Sequence, residues 1–127
     1  MPKQWTLNDI ALGDEAYHVN QVWGQPSEVV ADQWQKECET WNYKGNKKVG
    51  LCNGEVSFVQ IMAKSQNAII DGEVIAMENA ELRHVLGKPQ FFGEDGWGVL
   101  RGSDVLKVFI DEQEQLVSLD LFSEFIQ

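Results

Sequence analysis

The residues best suited to chemistry in this chain are two histidines and two adjacent pairs of carboxylates. His18 and His84 each fall on a predicted helix, and neither has a second histidine or a cysteine at metal-ligand spacing. The pairs Asp14-Glu15 and Glu94-Asp95 could transfer protons, but no serine or cysteine stands near them in a nucleophile motif. The sequence therefore predicts no enzyme, no metal site and no cofactor.

The charge of the chain limits its partners. Twenty acidic and ten basic residues give a net charge of −10, which argues against nucleic acid or an anionic membrane as partner. Residues 1–70 carry eight acids and six bases, whereas residues 71–127 carry twelve acids and four bases. Two readings stay open: the acids only keep the protein soluble, or they form a face complementary to a basic protein.

The two cysteines and the start of the chain bear on localisation. Cys38 and Cys52 sit in unrelated contexts and form no metal-type cluster, so reduced, partly buried thiols are expected. The first residues lack the apolar core of a signal peptide, and the apolar runs are too short for a transmembrane helix. These features predict a cytoplasmic protein.

A short motif occurs twice, at an offset of 63 residues. Its copies are Val22, Trp23, Gly24 and Pro26, and Val85, Leu86, Gly87 and Pro89. Apolar residues at helical spacing precede each copy, so one or two short helices are predicted over 7–23 and one helix over 74–86. The glycines would end these helices in the left-handed conformation, and the prolines prevent continuation.

Strand patterns follow each predicted helix. A short strand around Trp41 precedes a hairpin with Asn53-Gly54 at its turn, the dipeptide that tight hairpins favour. In the second half, a strand over 97–100 precedes a hairpin around 112–114. We therefore predict an α+β fold, an antiparallel sheet with short helices on one face, built from two tandem helix–β3 repeats. The chain is predicted to be one domain, 1–127, with repeats over about 7–63 and about 68–125.

This pattern resembles the SmpA/OmlA (BamE) unit, and two such units in tandem resemble the fold of the beta-lactamase inhibitory proteins. The resemblance rests on Val22, Gly24, Pro26, Trp41 and Val56–Ile61 in one copy, and on Val85, Gly87, Pro89, Trp97 and Leu116–Leu121 in the other. It implies this architecture and the use of a sheet face to grip another protein.

The first predicted hairpin leaves the role of one sheet face open. Strict alternation divides its apolar residues into Val49, Leu51, Val56 and Phe58 on one face, and Cys52, Val59 and Ile61 on the other. An antiparallel sheet with helices on one side should show polar residues on its open face. Either another element covers the second face, or an apolar patch there binds a partner.

Aromatic and acidic residues are the candidates for contact with a partner. Trp41 and Trp97 match each other and are predicted to lie in the core, whereas Trp5, Trp23 and Trp34 are better interface candidates. The acids fall in predicted turns or strand ends and are expected along one rim. The predicted protein-binding residues are Trp23, Trp34, Phe58, Glu94, Asp95, Asp104, Asp111, Glu112 and Glu114.

These expectations combine into a functional hypothesis. We expect an immunity-type inhibitor that binds and neutralises a toxin domain, because the chain is acidic, lacks a catalytic constellation and resembles an inhibitor fold. Toxin domains that attack nucleic acid are often basic, and an acidic inhibitor would speed encounter with them. The alternative is a non-catalytic ligand-binding or envelope-assembly module of the SmpA type.

Overall fold

The computed structural model describes residues 4–124 of the chain. Within that range it has two α-helices, ten strands and a single 3-10 turn at Ala63–Ser65. In chain order the helices and strands are α1 (Ala16–Trp23), β1 (Glu28–Ala31), β2 (Cys38–Tyr43), β3 (Lys47–Cys52), β4 (Glu55–Met62), β5 (Asn67–Ile70), β6 (Glu73–Ala76), α2 (Asn79–Leu86), β7 (Phe91–Gly93), β8 (Gly96–Arg101), β9 (Asp104–Ile110) and β10 (Leu116–Ser123). No helix among the described residues is long and apolar enough to span a membrane.

Eight of these strands form one antiparallel sheet in the order β1-β2-β3-β4-β10-β9-β8-β7. The central pair is β4 with β10, and the edges are β1 and β7. The order is symmetric about the centre, because each half of the chain contributes a helix followed by four sheet strands. β5 and β6 form a separate two-stranded hairpin between the halves.

One buried cluster lies on one face of this sheet. It contains Val19 of α1, Leu82 of α2 and Ile70 of β5, together with alternate residues of the central strands such as Val59 and Leu121. Both helices and the small hairpin therefore cover the same face of the sheet. The residues that alternate with these point to the opposite face.

The predicted fold class is wrong in two respects: the share of helix relative to strand, and the number of strands in each repeat. Strands outweigh helices, since α1 and α2 have eight residues each, and each half supplies four sheet strands rather than three. Residues 7–15 do not extend α1, because Leu7 bridges to Ile10 in a tight turn with Asn8 and Asp9 at positive φ. Tertiary contacts there override the helical spacing of the apolar residues.

The second predicted helix is also too long at its start. Residues 73–76 are strand β6, and α2 begins at Asn79. The β-branched Val74 lies opposite Ile69 across the Asp71-Gly72 turn, where both turn residues have positive φ. A favoured hairpin turn and β-branched residues therefore make a hairpin of this segment.

Both helices end at a glycine, but not in the left-handed helical region that was predicted. Gly24 has φ +80° and ψ −164°, and Gly87 has φ +80° and ψ −153°. This region is essentially restricted to glycine. Each glycine N–H donates to the carbonyl four residues earlier, of Asn20 and of Arg83 respectively, and so closes the last turn.

The Asn53-Gly54 turn between β3 and β4 is confirmed, with φ of +53° and +78°. The prediction that Val56 and Phe58, which follow this turn, lie on one face of the sheet is wrong. Gly50 pairs with Phe58 and Leu51 pairs with Val56, so Ser57 is an extra residue in β4. This bulge turns Val56 to the same face as Val59, and it places Phe58 on the opposite face.

Candidate binding groove

The sheet face opposite the helices carries aromatic side chains. Phe58 of β4, Phe109 of β9 and Phe122 of β10 alternate with the core residues of their strands and are partly exposed. Sequence reasoning had left two alternatives for this face. The helices and the small hairpin all pack on the other side, so among the described residues this face stays open. Its phenylalanines lie beside a polar row that crosses the sheet, formed by Lys48, Gln60, Asp120 and Lys107.

The three phenylalanines line a groove with a volume of about 360 Å³. Gly50 and the sulfur bridge between Cys38 and Cys52 form part of its wall on the β2–β3 side, and the β1–β2 loop borders one end. The titratable residues along the groove are Asp32, Glu39 and Asp120. The Glu39 side chain turns to the helix face, where it accepts a hydrogen bond from the Trp41 indole, so Asp32 and Asp120 supply the carboxylates of the groove. The groove therefore combines apolar walls with negative charge, which suits a cationic group on an apolar stem.

Asp120 lies on the central strand β10, where the groove meets the middle of the sheet. Burial raises the pKa of this carboxyl, while hydrogen bonds from Ser118 and Gln60 and the charges of Lys107 and Lys48 act against that rise. The Ser118 hydroxyl donates at 2.7 Å and the Gln60 amide at 3.0 Å. Asp120 is therefore a partly desolvated carboxylate held in place by two donors, and Lys107 lies directly opposite it on β9.

The prediction of reduced thiols is wrong, because Cys38 and Cys52 form a disulfide. The two residues lie directly opposite each other on β2 and β3, with their Cα atoms 4.0 Å apart. A directly opposed antiparallel pair brings the two side chains together on one face. The sequence did contain a signal, since both cysteines are equally distant from Gly45 in the β2–β3 turn.

The predicted aromatic anchors differ in their accessibility. Trp34 is 87% exposed in the β1–β2 loop. Trp23 packs against the core, donates its indole N–H to the carbonyl of Asn8, and lies edge-on to Tyr43.

Two of the tryptophans also contact a basic side chain. The Lys47 ammonium is 4.6 Å from the Trp23 ring centre, and burial lowers the pKa of this lysine. Trp5 is buried with the Arg101 guanidinium 3.5 Å from its ring centre.

The predicted acidic residues do not share one rim. Glu94, Asp95, Asp111 and Glu112 line a shallow hollow where the β7–β8 and β9–β10 turns meet, and Glu114 lies in the second of these turns. Asp104 follows the β8–β9 turn at the opposite end of the strands. Adjacent turns of a meander alternate between the ends of the sheet, which explains the separation.

Within this acidic hollow, one carboxylate is already paired. The Lys107 ammonium lies 3.0 Å from Asp95, and its hydrogen bond lowers the pKa of that carboxyl. The same ammonium is 4.4 Å from the ring centre of Phe109, on the open face. No group of three or more potential metal ligands occurs within residues 4–124.

Sequence reasoning missed most of the groove. Phe109, Phe122 and Asp120 were not singled out, although Lys107 and Phe109 alternate with buried Leu106 and Val108 along β9. That alternation is the signal that could have placed Phe109 on the open face. The placement of Phe122 beside it required the pairing of β9 with β10.

No protein-family model and no curated protein matches this sequence. The solved structures that are similar to it in fold include the following two. An extracellular protein containing an SCP domain from Bacillus anthracis strain Ames has a TM-score of 0.63 and 12% identity, over 89% of this chain and 44% of that one. A cysteine-rich secretory protein from Staphylococcus aureus Mu50 has a TM-score of 0.57 and 16% identity, over 90% of this chain and 44% of that one.

These neighbours overturn the resemblance drawn from the sequence. The chain shares its fold with proteins described by an SCP domain or as cysteine-rich secretory, and not with SmpA/OmlA units, beta-lactamase inhibitory proteins or immunity proteins. The cytoplasmic prediction is also wrong, since one neighbour is described as extracellular and the other as secretory. This chain spans less than half of each neighbour, so the shared fold is that of a part of each.

Proposed function

We propose that this chain is a non-catalytic binding module of an exported protein, and that its open-face groove receives a basic side chain of a protein partner. The observation that carries the proposal is the groove itself: three phenylalanines and a disulfide form its walls, and the carboxylates of Asp32 and Asp120 lie along it. Export is supported by the disulfide and by the extracellular and secretory descriptions of the two neighbours.

The chemistry of the groove favours lysine or arginine over a neutral apolar group. The aliphatic stem of either side chain can lie against the phenylalanine rings, and the charged end can reach the Asp120 carboxylate. A hydrogen bond between charged groups is about twice as strong as a neutral one. A basic toxin domain would present such side chains, but that narrower identity stays a prediction.

A pair of small probes tests the groove. Dansylcadaverine carries a primary ammonium on an aliphatic stem beside an aromatic ring, and its N-acetyl derivative differs by the loss of that charge. We expect dansylcadaverine to bind with a blue-shifted emission, and the acetylated form to bind at least about tenfold more weakly, because it lacks the charge-assisted hydrogen bond. Equal binding of the two probes, or binding of neither, would contradict the proposal.

Two variants locate the probe. Asp120→Asn should reduce the affinity for dansylcadaverine to that of the acetylated form, and it should leave the acetylated form unaffected. Glu112→Gln removes one negative charge from the exposed β9–β10 turn and is the matched control. If both variants weaken binding equally, the probe responds to net charge and not to the groove.

A further inference from the structure

The edge strand β1 (Glu28–Ala31) offers unpaired backbone groups to solvent. The Asp32 N–H donates to the carbonyl of Cys38, so even-numbered residues of this strand direct their backbone groups toward β2. Val29 and Ala31 therefore direct theirs outward. Among residues 4–124, no hydrogen bond to these outward groups is made, and no strand pairs with β1 on that side.

The side chains of β1 are as accessible as its backbone. All four of its residues are exposed, including Val29 at 52% and Val30 at 44%. Apolar edge strands without a blocking lysine or proline are the sites where a further strand adds. Pro26 lies before the strand, and no lysine or proline occurs within it.

The charges along β1 distinguish between possible occupants. Glu28, Val30 and Asp32 alternate on the open face of the sheet, so the strand presents an acidic, apolar, acidic pattern. If a second copy paired with β1 in the antiparallel register that joins Val29 to Ala31, Glu28 of each copy would oppose Asp32 of the other. Directly opposed like charges are destabilising, so the pattern disfavours self-pairing. Basic side chains opposite these acids would be stabilising.

We propose that β1 binds an extended segment of another protein as a ninth strand, with a basic, apolar, basic pattern opposite Glu28, Val30 and Asp32. The exposed Trp34 lies just beyond the end of the strand, where it can cover the added segment. This site adjoins the groove at Asp32, which borders both, but its centre lies elsewhere. A strand outside β1 lies about 19 Å from β4, which carries Phe58, because four strand spacings of about 4.8 Å separate them.

The test uses a fluorescein-labelled peptide containing Lys-Thr-Val-Thr-Lys and a twin that is N-methylated at both threonines. In the proposed register, the threonines oppose Val29 and Ala31, so methylation removes the donors to those carbonyls. We expect the plain peptide to bind and the methylated twin to bind at least about tenfold more weakly. Amide hydrogen exchange at Val29 and Ala31 should slow when the plain peptide is added.

Val29→Pro is the decisive variant. The Val29 N–H faces outward, so proline there removes no bond to β2, and the extended Glu28 before it is compatible with proline. We expect this variant to bind the plain peptide at least about tenfold more weakly with an unchanged denaturation midpoint. Val29→Ala, which keeps the N–H, should retain more of the affinity.

Several results would overturn the proposal. These are no binding of the plain peptide, equal binding of its methylated twin, equal binding of a peptide with glutamate in place of lysine, or unchanged affinity in Val29→Pro. A concentration-dependent dimer that Val29→Pro dissociates would identify a second copy as the occupant instead. Asp120→Asn should leave peptide binding unchanged, so this test and that of the groove can fail independently.

Discussion

The ring of Phe58 lies directly over Gly50, its cross-strand partner on β3. A Cβ atom added at position 50 would overlap atoms of that ring. The same arrangement recurs at the other side of the sheet, where Phe91 of β7 lies over Gly98 of β8. Aromatic rings that cover cross-strand glycines shield the backbone and fix the position of the ring.

Gly50→Ala should therefore displace the Phe58 ring and lower the free energy of unfolding by roughly 1–3 kcal/mol, the usual cost of overpacking. Gly50 has no positive φ, so the cost is steric. Chemical denaturation of Gly50→Ala, Phe58→Ala and the double variant measures the coupling. In the Phe58→Ala background, the cost of Gly50→Ala should largely disappear. Additive costs would show that the ring does not cause the strain.

At Gly87 the constraint is on the backbone conformation and not on the space for a side chain. No atom would come within 4 Å of a Cβ added there, so the cost of substitution is in the backbone. At φ +80° and ψ −153°, Gly87→Ala should lower the free energy of unfolding by roughly 1–3 kcal/mol. Gly87→Asn should not recover stability, because asparagine tolerates the left-handed helical region and not this one. Denaturation midpoints that favour asparagine clearly over alanine would contradict this geometry.

Asp120 should make stability depend on pH. Burial raises its pKa, so the folded protein holds this proton more tightly than the unfolded chain. The contribution of Asp120 to stability is therefore most favourable at low pH, and it decreases as pH rises from the usual carboxyl range through the raised pKa. Asp120→Asn removes this dependence, so the stability of the native protein should fall relative to the variant over that window. Parallel pH curves would exclude the effect.

Ser118→Ala should show the opposite dependence of stability on pH, with its larger effect at neutral pH. The Ser118 hydroxyl donates to the ionised Asp120 carboxylate and lowers its pKa. Its removal should destabilise the protein by about 1 kcal/mol at neutral pH and by less at acid pH, where the carboxyl is protonated. Urea denaturation of this variant across the same pH range measures the difference. Equal destabilisation at both ends would mean that only packing was lost.

The Cys38–Cys52 disulfide should stabilise the β2–β3 hairpin. The bridge spans a sequence separation of 14 residues, for which the chain-entropy model gives about 3 kcal/mol. Replacing both cysteines by serine should lower the free energy of unfolding by an amount of this order. The native protein should expose no reactive thiol under denaturing, non-reducing conditions. Two thiols detected there would contradict the bridge.

The sequence by itself determined the local features of this protein. The glycine–proline motif fixed where both helices end, because the backbone conformation at those glycines excludes other residues. Asn53-Gly54 fixed the turn between β3 and β4 for the same kind of reason. These features depend on a few consecutive residues, so they can be read without knowledge of the rest of the chain.

The tertiary structure decided what depends on pairing between distant segments. The bulge at Ser57 placed Phe58 on the open face, and the register of β2 with β3 joined the two cysteines. The order of strands in the sheet left Glu28–Ala31 as an unpaired edge and brought Phe109 and Phe122 to one groove. A shift of one residue in register moves each side chain of a strand to the other face, and register is set by contacts that lie far apart along the chain.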